Sequence, residues 1–193
     1  MRWQHTGGES GCASTTKGLQ AVTLIKMLHY LNTDIVFQEF PDEVTLAVNI
    51  SGCPCRCPGC HSSFLWEDRG EPLTEESLYA MIRQWEGQIT CVGFMGGDAD
   101  PAAVDSLAAY VRKCHPALKT GWYSGRTAIS PLVGQHNFDY IKIGPYLRHL
   151  GGLDSPRTNQ RMYRRRPDGS LEDITARFLK RLPDNGLPNL SRA

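Results

Sequence analysis

Between Val44 and Gly144 short β-rich apolar runs alternate with amphipathic helical stretches, and this alternation limits the available folds more than any other feature of the chain. The runs are VTLAVNIS (44–51), ITCVGFM (89–95), LKTGWYS (118–124) and FDYIKIG (138–144). The second is a continuous apolar run of the kind buried in parallel sheets. Between them, LTEESLYAMIRQW (73–85) reads as a helix. Thr74 is its N-cap, Glu75 and Glu76 occupy the first turn, and apolar residues fall at 78, 81, 82 and 85. AAVDSLAAYVRKC (102–114) reads as a second helix, capped by Asp100 with Pro101 at the first position. A short helix is expected near 128–133, and DIVFQEF (34–40) forms a further strand before a turn at Pro41 and Asp42. Strand, helix, strand, helix, strand predicts an α/β fold with a parallel sheet.

Ligands of parallel sheets sit at the carboxyl ends of the strands. Three unusual loops follow strands here, at 52–61, 96–98 and 124–126, so they should converge on one face. The first holds four cysteines in CPCRCPGC (53–60). Cys53, Cys57 and Cys60 are spaced Cys-X3-Cys-X2-Cys, which lets three thiolates wrap one face of a 4Fe-4S cube and leaves the fourth iron open. Structural zinc would need a fourth ligand, for which Cys55 or His61 is at hand, but a second Cys-X2-Cys or a His pair is missing. A thioredoxin-like dithiol would leave Cys53 and Cys55 unexplained. Cys91 and Cys114 read as small buried hydrophobes.

The other function classes find little support. The 193 residues carry 21 basic and 20 acidic side chains, so nothing at whole-chain level points to nucleic acid or a membrane surface. The apolar stretch 19–31 is shorter than the roughly 20 residues that span a bilayer. No secretory pattern is evident, and a cytoplasmic protein is expected, where clustered cysteines serve metal or catalysis more often than disulfides. GxGxxG, P-loop and HExxH motifs are absent. Residues 148–181 hold nine Arg or Lys against four Asp or Glu, including Arg164, Arg165 and Arg166. That run is a solvated face or a docking surface. Residues 1–26 are expected to be a disordered extension, 27–182 the domain and 183–193 a tail.

The cysteine triad followed by Gly-Gly-Asp (96–98) resembles the radical S-adenosylmethionine superfamily. CPGCHS, GFMGGDAD, TGWYSGR, YIKIGPY and GGLDSPRTNQRMYR are similar to the anaerobic ribonucleoside-triphosphate reductase-activating proteins within it. The likeness runs from about Met27 to Phe178. It implies a single-domain partial parallel (β/α) barrel with a 4Fe-4S cluster on Cys53, Cys57 and Cys60, and with Cys55 turned away. Gly59, Cys60, His61, Gly96, Gly97, Asp98, Ser124 and Lys142 would be neighbours of S-adenosylmethionine. The implied activity is reductive cleavage of that cofactor to a 5′-deoxyadenosyl radical, which takes a hydrogen atom from a glycine of the reductase large subunit. The electron would come from a donor such as flavodoxin. Arg161, Arg164, Arg165 and Arg166 are candidate partner contacts. The alternatives are activation of another glycyl radical enzyme, radical chemistry on a small molecule, an iron–sulfur electron carrier or a zinc-binding module.

Overall fold

A computed structural model describes residues 27–179, so the expected N-terminal extension and the 183–193 tail lie outside the described residues. The elements in chain order are β1 (His29–Val36), β2 (Thr45–Ile50), β3 (Glu71–Pro72), α1 (Glu75–Gln84), β4 (Cys91–Met95), α2 (Pro101–Cys114), β5 (Lys119–Tyr123), β6 (Tyr140–Ile143), β7 (Arg161–Arg165) and β8 (Leu171–Asp173). All eight strands form one sheet in the order β3-β1-β2-β4-β5-β6-β7-β8. Only the central four, β2, β4, β5 and β6, run parallel. β1 and β7 pair antiparallel on either side of them, so the sheet is mixed around the parallel centre that was expected.

Local chemistry accounts for the helices. Thr74 Oγ1 accepts from the Ser77 amide at 3.2 Å while Ser77 Oγ accepts from the Thr74 amide at 2.9 Å. This reciprocal cap is worth about 1 kcal/mol. Asp100 caps α2 through the Ala103 amide, with Pro101 at the first position as expected. The helix expected at 128–133 does not form. Pro131 interrupts the stretch, and the β5–β6 crossover holds only a 3-10 turn at Gln135–Asn137. Cys91 is buried as expected, whereas Cys114 is half-buried at the end of α2.

The two faces of the sheet carry different cores. Leu46, Val48, Val92, Phe94, Trp122 and Ile141 pack against Leu78, Met81 and Ile82 of α1 and Val104, Leu107 and Val111 of α2. The opposite face gathers Cys91, Tyr140, Met162 and Ile174 around Phe40. Phe40 leaves the strand pattern expected for 34–40, because β1 ends at Val36 and the following loop folds back beneath the sheet. Gly121 makes room for it, since a Cβ there would meet the Phe40 ring at 2.2 Å. The ring packs over the middle of β4 and β5, and a cavity opens beyond it at the carboxyl ends of the parallel strands.

Candidate metal centre

The cysteine loop leaves β2 through a fixed base, where the Gly52 amide donates to Glu67 O at 3.2 Å and the Cys53 amide to Leu65 O at 2.9 Å. It closes on a tight turn. The Cys60 amide donates to Cys57 O at 3.0 Å, Pro58 and Gly59 are the central residues, and Gly59 has φ 77°. A proline followed by a positive-φ glycine is the requirement of a type II turn, which explains Gly59 without any cofactor contact. Cys53, Cys55, Cys57 and Cys60 are all free and partly exposed.

Cys55 differs from the other three. Its thiol donates to Asp98 Oδ2 at 3.7 Å, and burial, then the Asp98 and Cys53 charges, push its pKa up to about 12. It is a neutral thiol tied to the diglycine loop. Asp98, 4% exposed, also accepts from Ser124 Oγ at 2.6 Å and from the Gly125 amide at 2.7 Å. The acid thus joins the loops after β4 and β5 to the cysteine loop. The Ser124 hydroxyl is committed twice, since it also accepts from the Arg126 amide at 3.0 Å.

These loops open on one cavity of about 1140 Å³, lined by all four cysteines together with His61, Gly96, Asp98, Ser124, Lys142 and Gln160. Two of the expected neighbours, Gly97 and Gly59, do not line it. Gly97 (φ 87°) faces the helix-side core, because a Cβ on it would meet Val104 Cγ2 at 2.3 Å. Its role is close packing of the loop on α2. Gly59 points toward Tyr146 and Arg148, and His61 makes an edge contact with Tyr146 at 5.9 Å. Gly96 (φ 106°) is held from β5, its carbonyl accepting from the Trp122 indole at 2.7 Å. Lys142, 8% exposed, donates to Gly144 O at 2.9 Å and lies 5.6 Å from the Tyr123 ring centroid. Desolvation lowers its pKa to about 8, against the raising influence of Asp98 and the cysteines.

The arginines are divided between the two ends of the sheet. Arg161 pairs with Ile143 at the cavity end of β6, whereas Arg164 pairs with Tyr140 at the far end. Arg164 and Arg166 bind Glu172, at 2.8 and 3.7 Å, and Arg165 binds Asp139 at 3.0 Å. Arg161 lies 3.7 Å from Asp173. Sequence reasoning missed Gln160, a polar residue of an irregular stretch with nothing around it to single it out. It also missed Phe40 as the packing centre beneath the sheet.

Among the described residues no three His, Cys, Asp or Glu side chains converge on a point that one metal ion could fill. Residues 43–136, which hold the cysteine loop, the diglycine loop and the 124–126 loop, match a family described as a 4Fe-4S single cluster domain. No curated protein and no solved structure matches the chain. The family match and the three thiols on one loop together support an iron–sulfur cluster domain in this part of the chain.

Proposed function

We propose that the chain is a radical S-adenosylmethionine enzyme that holds a 4Fe-4S cluster on Cys53, Cys57 and Cys60 and generates a glycyl radical on an anaerobic ribonucleoside-triphosphate reductase. The observation that carries this reading is the convergence of three free thiols, a positive-φ glycine and a buried lysine on one cavity at the ends of parallel strands. When bound, the cluster would supply the electron that breaks a carbon–sulfur bond of S-adenosylmethionine. The chain's own residues bind and shield. Lys142 offers a buried positive charge to an anionic group of the cofactor, and Gly96, where a Cβ would stand 3.1 Å from Ile50 O, keeps the diglycine loop close against β2 at the edge of the cavity. Asp98 holds the loops in register through three donors. The walls that exclude water come from Ile50, Leu65, Met95 and Phe178.

A reductase as substrate agrees with a cavity whose rim includes the exposed Phe37, Gln38 and Asp42. An electron donor such as flavodoxin fits an exposed cysteine loop, and no helix among the described residues is long and apolar enough to cross a membrane. The reading is tested by mixing the anaerobically reconstituted, reduced protein with S-adenosylmethionine and a reductase carrying deuterated glycine. A glycyl radical signal in electron paramagnetic resonance and deuterium in 5′-deoxyadenosine are expected. Label that stays in the reductase while a small molecule is consumed would replace it with the small-molecule alternative.

A further inference from the structure

Three exposed arginines gather about the cysteine loop. Arg56 belongs to the loop itself. Arg148 reaches over the turn that closes it, since a Cβ on Gly59 would lie 3.8 Å from Arg148 Cδ and 3.7 Å from Tyr146 Cε1. Arg126 lies close enough for its charge to act on the Cys55 thiol. The backbones of the last two are fixed. The Arg126 amide donates to Ser124 Oγ at 3.0 Å and its carbonyl accepts from the Gly144 amide at 2.7 Å, while Arg148 sits in a turn whose Leu150 and Gly151 amides donate to Leu147 O at 2.8 and 3.0 Å.

Little negative charge offsets them. Arg126 and Arg148 have no carboxylate partner among the described residues. Arg56 meets Glu67 at 3.2 Å with both side chains more than half exposed, a pair of small worth that a partner can displace. Asp98 is buried, and its oxygens are taken by Ser124, Gly125 and Cys55. Between the arginines Pro54, Pro58 and Gly59 are exposed and uncharged. An uncharged centre with arginines around it suits a protein interface, and the sign of the charge selects an acidic face. A nucleic acid strand instead needs basic groups spaced along a groove.

We infer that Arg56, Arg126 and Arg148 form the docking surface for an acidic one-electron carrier protein, seated with its redox group against the Pro58–Gly59 turn. The inference rests on the function proposed above and locates where the electron enters. The carrier gives up one electron and the cluster held on Cys53, Cys57 and Cys60 gains it, so no bond forms or breaks at this surface.

The test uses flavodoxin hydroquinone as the carrier on anaerobically reconstituted protein, with affinity read by titration calorimetry and cluster reduction by stopped-flow absorbance. Combined Arg126→Gln and Arg148→Gln should weaken binding and slow reduction about tenfold at low salt, and the difference should shrink at about 0.5 M salt, where exposed charges are screened. Arg126→Lys with Arg148→Lys, which keeps both charges, should restore most of the loss. Arg83→Gln removes a charge from the last turn of α1 and should match the wild type. Photoreduction by 5-deazaflavin, a small reductant that needs no docking surface, should proceed at the wild-type rate in every variant, with iron content unchanged. Wild-type flavodoxin binding in the glutamine variant, a loss that persists at high salt, or an equal loss in Arg83→Gln overturns the docking surface and leaves the proposed function standing. So does a glutamine variant that takes electrons from flavodoxin normally and fails to activate the reductase. A wild-type protein whose photoreduced cluster forms no 5′-deoxyadenosine from S-adenosylmethionine overturns that function, and the docking surface with it.

Discussion

Four cysteines within eight positions stand in two different surroundings. Cys53, Cys57 and Cys60 are free thiols at the edge of the cavity, while Cys55 is turned onto Asp98. Replacing any of the first three by Ala should abolish the iron–sulfur cluster after anaerobic reconstitution, measured as bound iron and visible absorbance. Cys55→Ala should retain it. Asp98 is the residue on which the loops depend, because its carboxylate accepts from Ser124, Gly125 and Cys55. Asp98→Asn would turn an NH2 group toward one of these donors and leave a buried amide or hydroxyl unpaired. A loss of about 1–3 kcal/mol is expected, read as a lower melting midpoint. The sequence led to Asp98 as a neighbour of the cofactor. What it did not show is that both oxygens are already engaged within the protein, since hydrogen-bond partners 26 and 43 residues away leave no local trace.

At the scale of elements, the strands and helices that carry the site were legible from apolar periodicity and capping residues. Thr74, Asp100 and Pro101 sit at the helix starts where expected. Less legible were elements defined by their partners alone. β7 is an arginine-rich strand whose charges are satisfied by Asp139, Glu172 and Asp173, so its composition reads as a solvated run. Phe40 sits in a stretch that alternates like a strand, and the glycines at 93 and 121 opposite it reveal the space it fills. Phe40→Ala should cost about 3–5 kcal/mol in chemical denaturation by emptying that space. Gly97 also acts at this scale. Gly97→Val would disturb the fold itself, given the 2.3 Å approach to Val104 and φ 87°, which a β-branched residue rarely adopts. Gly97→Val should lower the melting midpoint of the cluster-free protein, with overpacking alone costing about 1–3 kcal/mol.

Across the whole molecule the two ends of the sheet are built for different purposes. One end is sealed by charge pairs: Glu43 is buried, accepts from Thr90 at 2.7 Å and Tyr140 at 3.0 Å and pairs with Lys119, while Asp139 takes Arg112 and Arg165. The other end is open and holds the cysteine loop, the diglycine loop and Lys142 around one cavity. The convergence of the 52–61, 96–98 and 124–126 loops was inferred from strand order alone and is what the structure places together. The far wall of the cavity was not foreseen, since Gln160 and Phe178 reach it through antiparallel pairing and a strap that residue spacing does not encode. The central claim is that this open end performs reductive cleavage of S-adenosylmethionine. Its most direct measurement is the amount of 5′-deoxyadenosine formed when anaerobically reconstituted protein is reduced with dithionite in the presence of S-adenosylmethionine. The account predicts 5′-deoxyadenosine from the wild type and none from Cys57→Ala. A wild-type protein that carries a reduced 4Fe-4S cluster and leaves S-adenosylmethionine intact would contradict it.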